Sequence, residues 1–128
     1  MLLGLFFAIV ASLLPVFPTM GKSFLIAIEQ KHYPDAYLMF SDNFKQQYDY
    51  PTFERNIALS GLDQYKSVVW MKNVQDRKQK NGYIVGLITM KDDKKVPIEI
   101  DFIDQQGESL PDKGWRIESF KLLPPRNY

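Results

Sequence analysis

The first 21 residues carry no charged side chain, and from Lys22 onward the chain is charged and regularly patterned. An α-helix rises ~1.5 Å per residue, so about twenty apolar residues cross the ~30 Å hydrocarbon layer of a bilayer. The chain therefore reads as a transmembrane anchor over residues 1–21, one domain over residues 22–123 and a short tail over residues 124–128. Pro15 and Pro18 each remove a backbone donor and are expected to kink or end the membrane helix. A secretory signal peptide is the competing reading, but it wants a basic segment ahead of the apolar run and a small-residue cleavage site behind it. Here no Lys or Arg precedes the run. The small residues Ala8 and Ala11 lie too early, with more apolar residues after them.

Lys22 is the only charged side chain close to the run, so the positive-charge bias that orients membrane helices is thin and taken alone favours a cytoplasmic domain. An N-terminal anchor with its domain outside is the commoner plan, and the expectation is a single-pass protein of the bacterial inner membrane with a periplasmic domain. Within the run, Gly4, Ala8, Ala11 and Ser12 place small side chains on one narrow helical face, a candidate helix–helix contact. Plain lipid exposure is the alternative for that face.

The remaining hundred or so residues suffice for one small core, and an aromatic content of 14% enlarges what each buried residue contributes. Sixteen basic and fifteen acidic residues leave a net charge of +1, with no general attraction to nucleic acid. The densest basic run, Arg77-Lys78-Gln79-Lys80, reads as a solvated turn, with an anionic headgroup or phosphate contact as the sharper alternative. With no cysteine in the chain, disulfides, thiolate zinc sites and thiol catalysis are excluded. The single histidine, His32, cannot build a histidine metal cluster and sits where a helix end is expected.

Periodicity then orders the elements. Phe24, Leu25, Ile28 and His32 fall near helical spacing from Lys22 to about Tyr33. Pro34 and Asp35 suit the first turn of a second helix, whose stripe is Tyr37, Phe40, Ser41 and Phe44. Tyr50-Pro51 opens a third helix that Gly61 should stop. Beyond Gly61 the period becomes that of strands: Tyr65 to Met71, Tyr83 to Met90 after an Asn81-Gly82 turn, and Gly114 to Leu122. Val96, Ile98, Ile100 and Phe102 alternate with Glu99 and Asp101, the clearest half-buried strand. Pro97 belongs at an edge or a bulge. Helices first and strands after argue an α+β fold, an N-terminal transmembrane helix followed by short helices packed on a curved antiparallel sheet of about four strands.

On these positions the chain resembles the nuclear transport factor 2-like superfamily, the cystatin-like α+β roll. The resemblance rests on Ala36-Tyr37 with Phe40-Ser41 and Phe44, then Phe53, then Leu62, Tyr65 and Trp70, and the closing Gly114-Trp115-Arg116-Ile117-Glu118-Ser119-Phe120. It covers about residues 22–123 and is a pattern of apolar positions, similar to small membrane-attached bacterial members. The superfamily hosts enzymes, ligand binders, dimerisation modules and secretion-system subunits, so the resemblance implies a fold without choosing a function.

Ketosteroid isomerase-like members place a carboxylate base and hydroxyl donors in a cone between sheet and helices. The corresponding candidates are Glu99, Asp101 and Glu118, with Tyr37, Tyr65 or Tyr83 as donors. Glu99 and Asp101 alternate with core residues, and so most simply face water; Glu118 suits a cross-strand charge pair. Phe40, Phe44, Phe53, Trp70, Phe102 and Trp115 either line a ligand pocket or are the core itself, and the core is the simpler use of them. No catalytic, cofactor-binding or metal-ligating residue is therefore predicted. The expected function is a non-catalytic accessory or scaffold subunit of a larger bacterial membrane complex. Its partners would be the lipid bilayer and other membrane-protein subunits, no nucleic acid, with a homodimer through the sheet face as a further option. A small-ligand binder or isomerase-like enzyme using the cone is the alternative.

Overall fold

The computed structural model describes residues 16–76, 78–105 and 114–124. Four short helices precede a four-stranded antiparallel meander, the α+β arrangement that the change of period implies. The first helix, α1, spans Val16–Glu29 and buries Phe17, Gly21, Phe24, Leu25 and Ile28 along one side. Pro18 lies in the first described turn of this helix. The expected break at Pro18 is thus not seen, and α1 runs straight through the boundary drawn between Gly21 and Lys22. Among the described residues no helix is long and apolar enough to cross a membrane. The remainder of the proposed anchor, with Pro15 and the small residues Gly4, Ala8, Ala11 and Ser12, lies outside the described residues.

Lys31 closes α1 in a left-handed conformation, φ 61°. The backbone N–H of His32 reaches back to the Ala27 carbonyl at 2.8 Å, satisfying a carbonyl the helix end would orphan. His32 itself is exposed.

The single stripe expected from Tyr37 to Phe44 is two helices, α2 (Tyr33–Leu38) and α3 (Asp42–Gln47). Two competitors interrupt it. The Ser41 hydroxyl accepts the Phe44 N–H at 3.1 Å and caps α3. The backbone around Phe40 pairs with the sheet, Ser41 N–H donating to the Ile117 carbonyl and Ile117 N–H to the Met39 carbonyl, both at 2.8 Å. Edge-strand groups that would otherwise lack partners outweigh one more turn of helix. The next helix, α4 (Tyr50–Ser60), matches its sequence signals. The Asp49 carboxylate caps the Thr52 N–H at 3.0 Å, and Gly61 ends the helix at φ 77°.

The sheet has strand order β1-β2-β3-β4 with β1 Tyr65–Asp76, β2 Asn81–Met90, β3 Lys95–Asp104 and β4 Trp115–Leu122. Strand β1 extends well past Met71, because a bulge there resets its register from Trp70 opposite Gly86 to Lys72 opposite Val85. Asn81-Gly82 is not the turn but the start of β2. The reversal is made before it, with Lys80 at φ 56° and the Asp76 carboxylate accepting the N–H groups of Lys78 and Gln79. Gly82 is needed for another reason, since the Phe17 ring occupies the place where its side chain would project. Gly21 and Gly86 serve Trp70 likewise: a Cβ would fall 2.9 Å from the indole at Gly21 and 2.5 Å at Gly86.

Pro97 sits in an inner strand opposite Leu87, not at the sheet's edge. Its carbonyl accepts the Leu123 N–H at 2.9 Å, just beyond the end of β4. N–H and C=O of one strand residue point to the same side, so the absent donor faces the strand end and leaves the β2–β3 ladder intact.

Candidate ligand cavity beside Glu118

The core decides most of what the sheet and helices leave open. Phe40, Phe53, Phe102 and Trp115 are buried, packed with Phe17, Phe24 and aliphatic or tyrosine positions of helices and sheet, including Ile57, Ile84, Ile100 and Tyr65. Phe44 and Trp70 pack half-buried against them. The interior of the roll is therefore filled by the aromatic set, as the simpler reading expects.

Space remains at the sheet's margin. Between α3, α4 and β4 lies a cavity of about 410 Å³, walled by Phe44, Tyr48, Phe53 and Phe120, with Gln47, Asn56, Glu118 and Ser119 as polar members. A bulge positions the carboxylate. Ser119 faces Asp101 and Ile117 faces Phe102, so Glu118 is the extra residue of β4 and leaves the regular alternation. Its Oε1 accepts a hydrogen bond from Asn43 Nδ2 at 2.7 Å. Its Oε2 is buried and has no hydrogen-bond partner among the described residues. The expected cross-strand charge pair is instead a bond to an uncharged amide of α3. Periodicity placed Glu118 on a regular strand, and nothing local in the sequence signals the bulge that redirects it.

Glu99 and Asp101 lie on the sheet face opposite the core but are half-buried there, not freely solvated. Glu99 pairs with Lys121 at 3.4 Å, and Asp101 accepts the Ser119 hydroxyl at 3.0 Å. Burial pushes the Asp101 carboxyl above its ordinary range; the Ser119 bond opposes the shift and neighbouring Glu99 adds to it. One candidate hydroxyl donor, Tyr83, meets the acids: with Asp101 and Glu118 it lines a second cavity of about 380 Å³ beside Asn81 and Gly82. Tyr37 donates to the Tyr48 carbonyl at 2.7 Å, Tyr65 is a core residue, and the Tyr83 ring lies 5.5 Å from the Lys72 ammonium. Among the described residues no three His, Cys, Asp or Glu side chains are grouped to hold a metal.

The state of Asp101 has a measurable consequence. With its folded value raised above 3.8, the folded chain holds this proton more tightly than the unfolded chain does. The group favours folding at low pH and loses that contribution as pH rises through the raised value. Above it, the ionised carboxylate is a net cost. Asp101→Asn keeps an acceptor for Ser119 and removes the cost. Its melting temperature is expected above that of the parent at pH 7, with the difference vanishing below about pH 3. Equal melting curves at both pH values would refute this.

The fold and its margins thus define a small α+β domain with a filled interior and carboxylate-bearing cavities at its surface. No model of a known protein family matches the chain, and no curated protein matches it.

Proposed function

We propose that this chain is a membrane-attached, non-catalytic accessory subunit of a larger bacterial membrane complex, working through the surfaces of its roll and its apolar leader. One observation carries the reading: Phe17, two residues after Pro15, is already core, stacked on Phe102 at 4.4 Å and edge-on to Trp115 at 4.9 Å. Residues 16–21 of the charge-free run thus belong to the folded domain, and whatever holds residues 1–15 holds a segment that joins it directly in sequence. The surface offers matching contacts. Val69 is 67% exposed on the outer sheet face beside Leu87, and Leu59 of α4 is 82% exposed. Isolated exposed apolar residues are ordinary; joined to a lipid-held leader, they suit docking on neighbouring subunits or on a second copy. The periplasmic side and the single membrane pass belong to this proposal.

A second reading has one observation in its favour, the unpartnered Glu118 Oε2 beside an aromatic-walled cavity. An ionised carboxylate there would suit a small cationic ligand, with the ring faces adding cation–π attraction. Extraction of the full chain in mild detergent, followed by native mass spectrometry, separates the two. The expected result is a stoichiometric assembly with other membrane polypeptides. A lone monomer would sink the accessory-subunit reading, and a monomer carrying the mass of a small cation would put the cavity in its place.

A further inference from the structure

The cavity between α3, α4 and β4 has, at about 410 Å³, the size of a small-molecule site. Phe53 is its buried floor, Phe44 and Phe120 are half-buried, and Gln47, Tyr48 and Asn56 stand exposed at the rim. Packing fixes the rings in advance of any ligand. Phe44 stacks on Phe40 at 4.0 Å and lies 4.9 Å from Tyr48 and 6.3 Å from Phe53.

Among the described residues, Glu118 is the one charged side chain in that wall. Asn43 ties down its Oε1 at 2.7 Å, while Oε2 is buried and receives no donor. A buried carboxylate oxygen left without a donor is a standing cost that a bound N–H would remove. The cations of the enclosing elements are engaged elsewhere. Lys45 pairs with Asp42 at 3.9 Å, Lys121 pairs with Glu99 at 3.4 Å, and Arg116 donates to the Trp115 carbonyl at 2.6 Å. Arg55 lines a separate groove with Tyr33 and Tyr50. The Ser119 hydroxyl already donates to Asp101 at 3.0 Å. At the rim, the amide oxygens of Gln47 and Asn56 can accept further N–H groups.

We infer that this cavity binds a small primary amine, whose ammonium group donates to Glu118 Oε2 and whose apolar body lies against Phe44, Tyr48 and Phe53. The inference rests on the cation-binding reading of the cavity given above and deepens it; membrane attachment plays no part in it. Charge and ring faces alone would hold any organic cation. The orphaned oxygen selects among them, because it needs an N–H, which a protonated amine carries and a quaternary ammonium lacks. A bare metal ion fits poorly, since a single carboxylate among rings lacks the set of oxygen ligands that hard cations take.

The full chain in mild detergent is titrated by calorimetry with phenethylammonium and, separately, with its N-trimethyl counterpart. The expected result is saturable binding of the primary amine, about tenfold or more tighter than the trimethyl form, the scale of a hydrogen bond to a charged group. Glu118→Gln keeps an oxygen to accept from Asn43 and should weaken the primary amine by about the same factor. Tyr48→Ala, at an exposed rim position, leaves the charge in place and should weaken it about twofold to fivefold through the lost ring. Glu54→Gln removes an equal charge from the exposed side of α4 and should change nothing. Equal affinity for the two amines would overturn the N–H requirement and leave a general cation site standing. Binding that survives Glu118→Gln, or that Glu54→Gln weakens as much, would place the amine elsewhere and overturn the inference. No binding of either amine would remove the cation-binding reading itself.

Discussion

Phe17→Ala is expected to cost the roll about 3–5 kcal/mol, the usual range for removing a buried aromatic ring. Phe17 is 3% exposed, stacks on Phe102 and meets Trp115 edge-on, and it fills the place vacated by the missing side chain of Gly82. Four elements, α1, β2, β3 and β4, lose contact at once, and a glycine cannot grow into the void. A domain of this size has only about 5–15 kcal/mol of stability in total, so the substitution removes a large share of it. Trp115 reports the change directly. Denaturant unfolding followed by tryptophan fluorescence should show a much lower midpoint at unchanged slope. An unchanged midpoint would place Phe17 outside the domain, in lipid or solvent, and would remove the observation on which the proposed function stands.

Phe40→Ala should be as severe, about 3–5 kcal/mol, for a different reason. The ring is fully buried among four others, with centroids 4.0 Å from Phe44, 5.3 Å from Phe53, 5.5 Å from Phe24 and 6.1 Å from Phe120. It also anchors the short extended piece that caps the β4 edge, where Phe40 bridges to Ile117. Losing the ring loosens both the aromatic cluster and the cover over that edge. Leu59→Ala, on the same helical layer but 82% exposed, should stay within about 0.5 kcal/mol of the parent. Comparable losses for the two would mean that Phe40 is not the centre of the core.

Phe40 also shows how reading and structure diverge. Its burial followed from an apolar stripe, since a helix-like spacing and a strand-like bridge both turn it inward. Its conformation did not, because the choice between one helix and two depended on β4 lying alongside with unpaired backbone groups. Gly82 is the same case. An Asn-Gly pair is a strong turn signal, yet here the glycine is spent on clearance for a ring some sixty-five positions earlier in the chain, and the reversal moves back to Lys80. Glu118 was visible as a strand carboxylate, but its direction is set by a bulge, and a bulge is a property of two paired strands, not of either alone.

What residue order alone determined is whatever depends on neighbours within a few positions: the α+β class, the Tyr50-Pro51 and Gly61 boundaries of α4, the alternation of β3 and the identity of most core aromatics. Propensity, capping and period act over one or two turns of chain, and they agree in those places. Tertiary structure decided the passage of α1 across residue 21, the break at Phe40, the seat of Trp70 between two glycines and the aim of Glu118. Each of these is fixed by contact between segments distant in sequence, where burial and the pairing of backbone groups outweigh local preference.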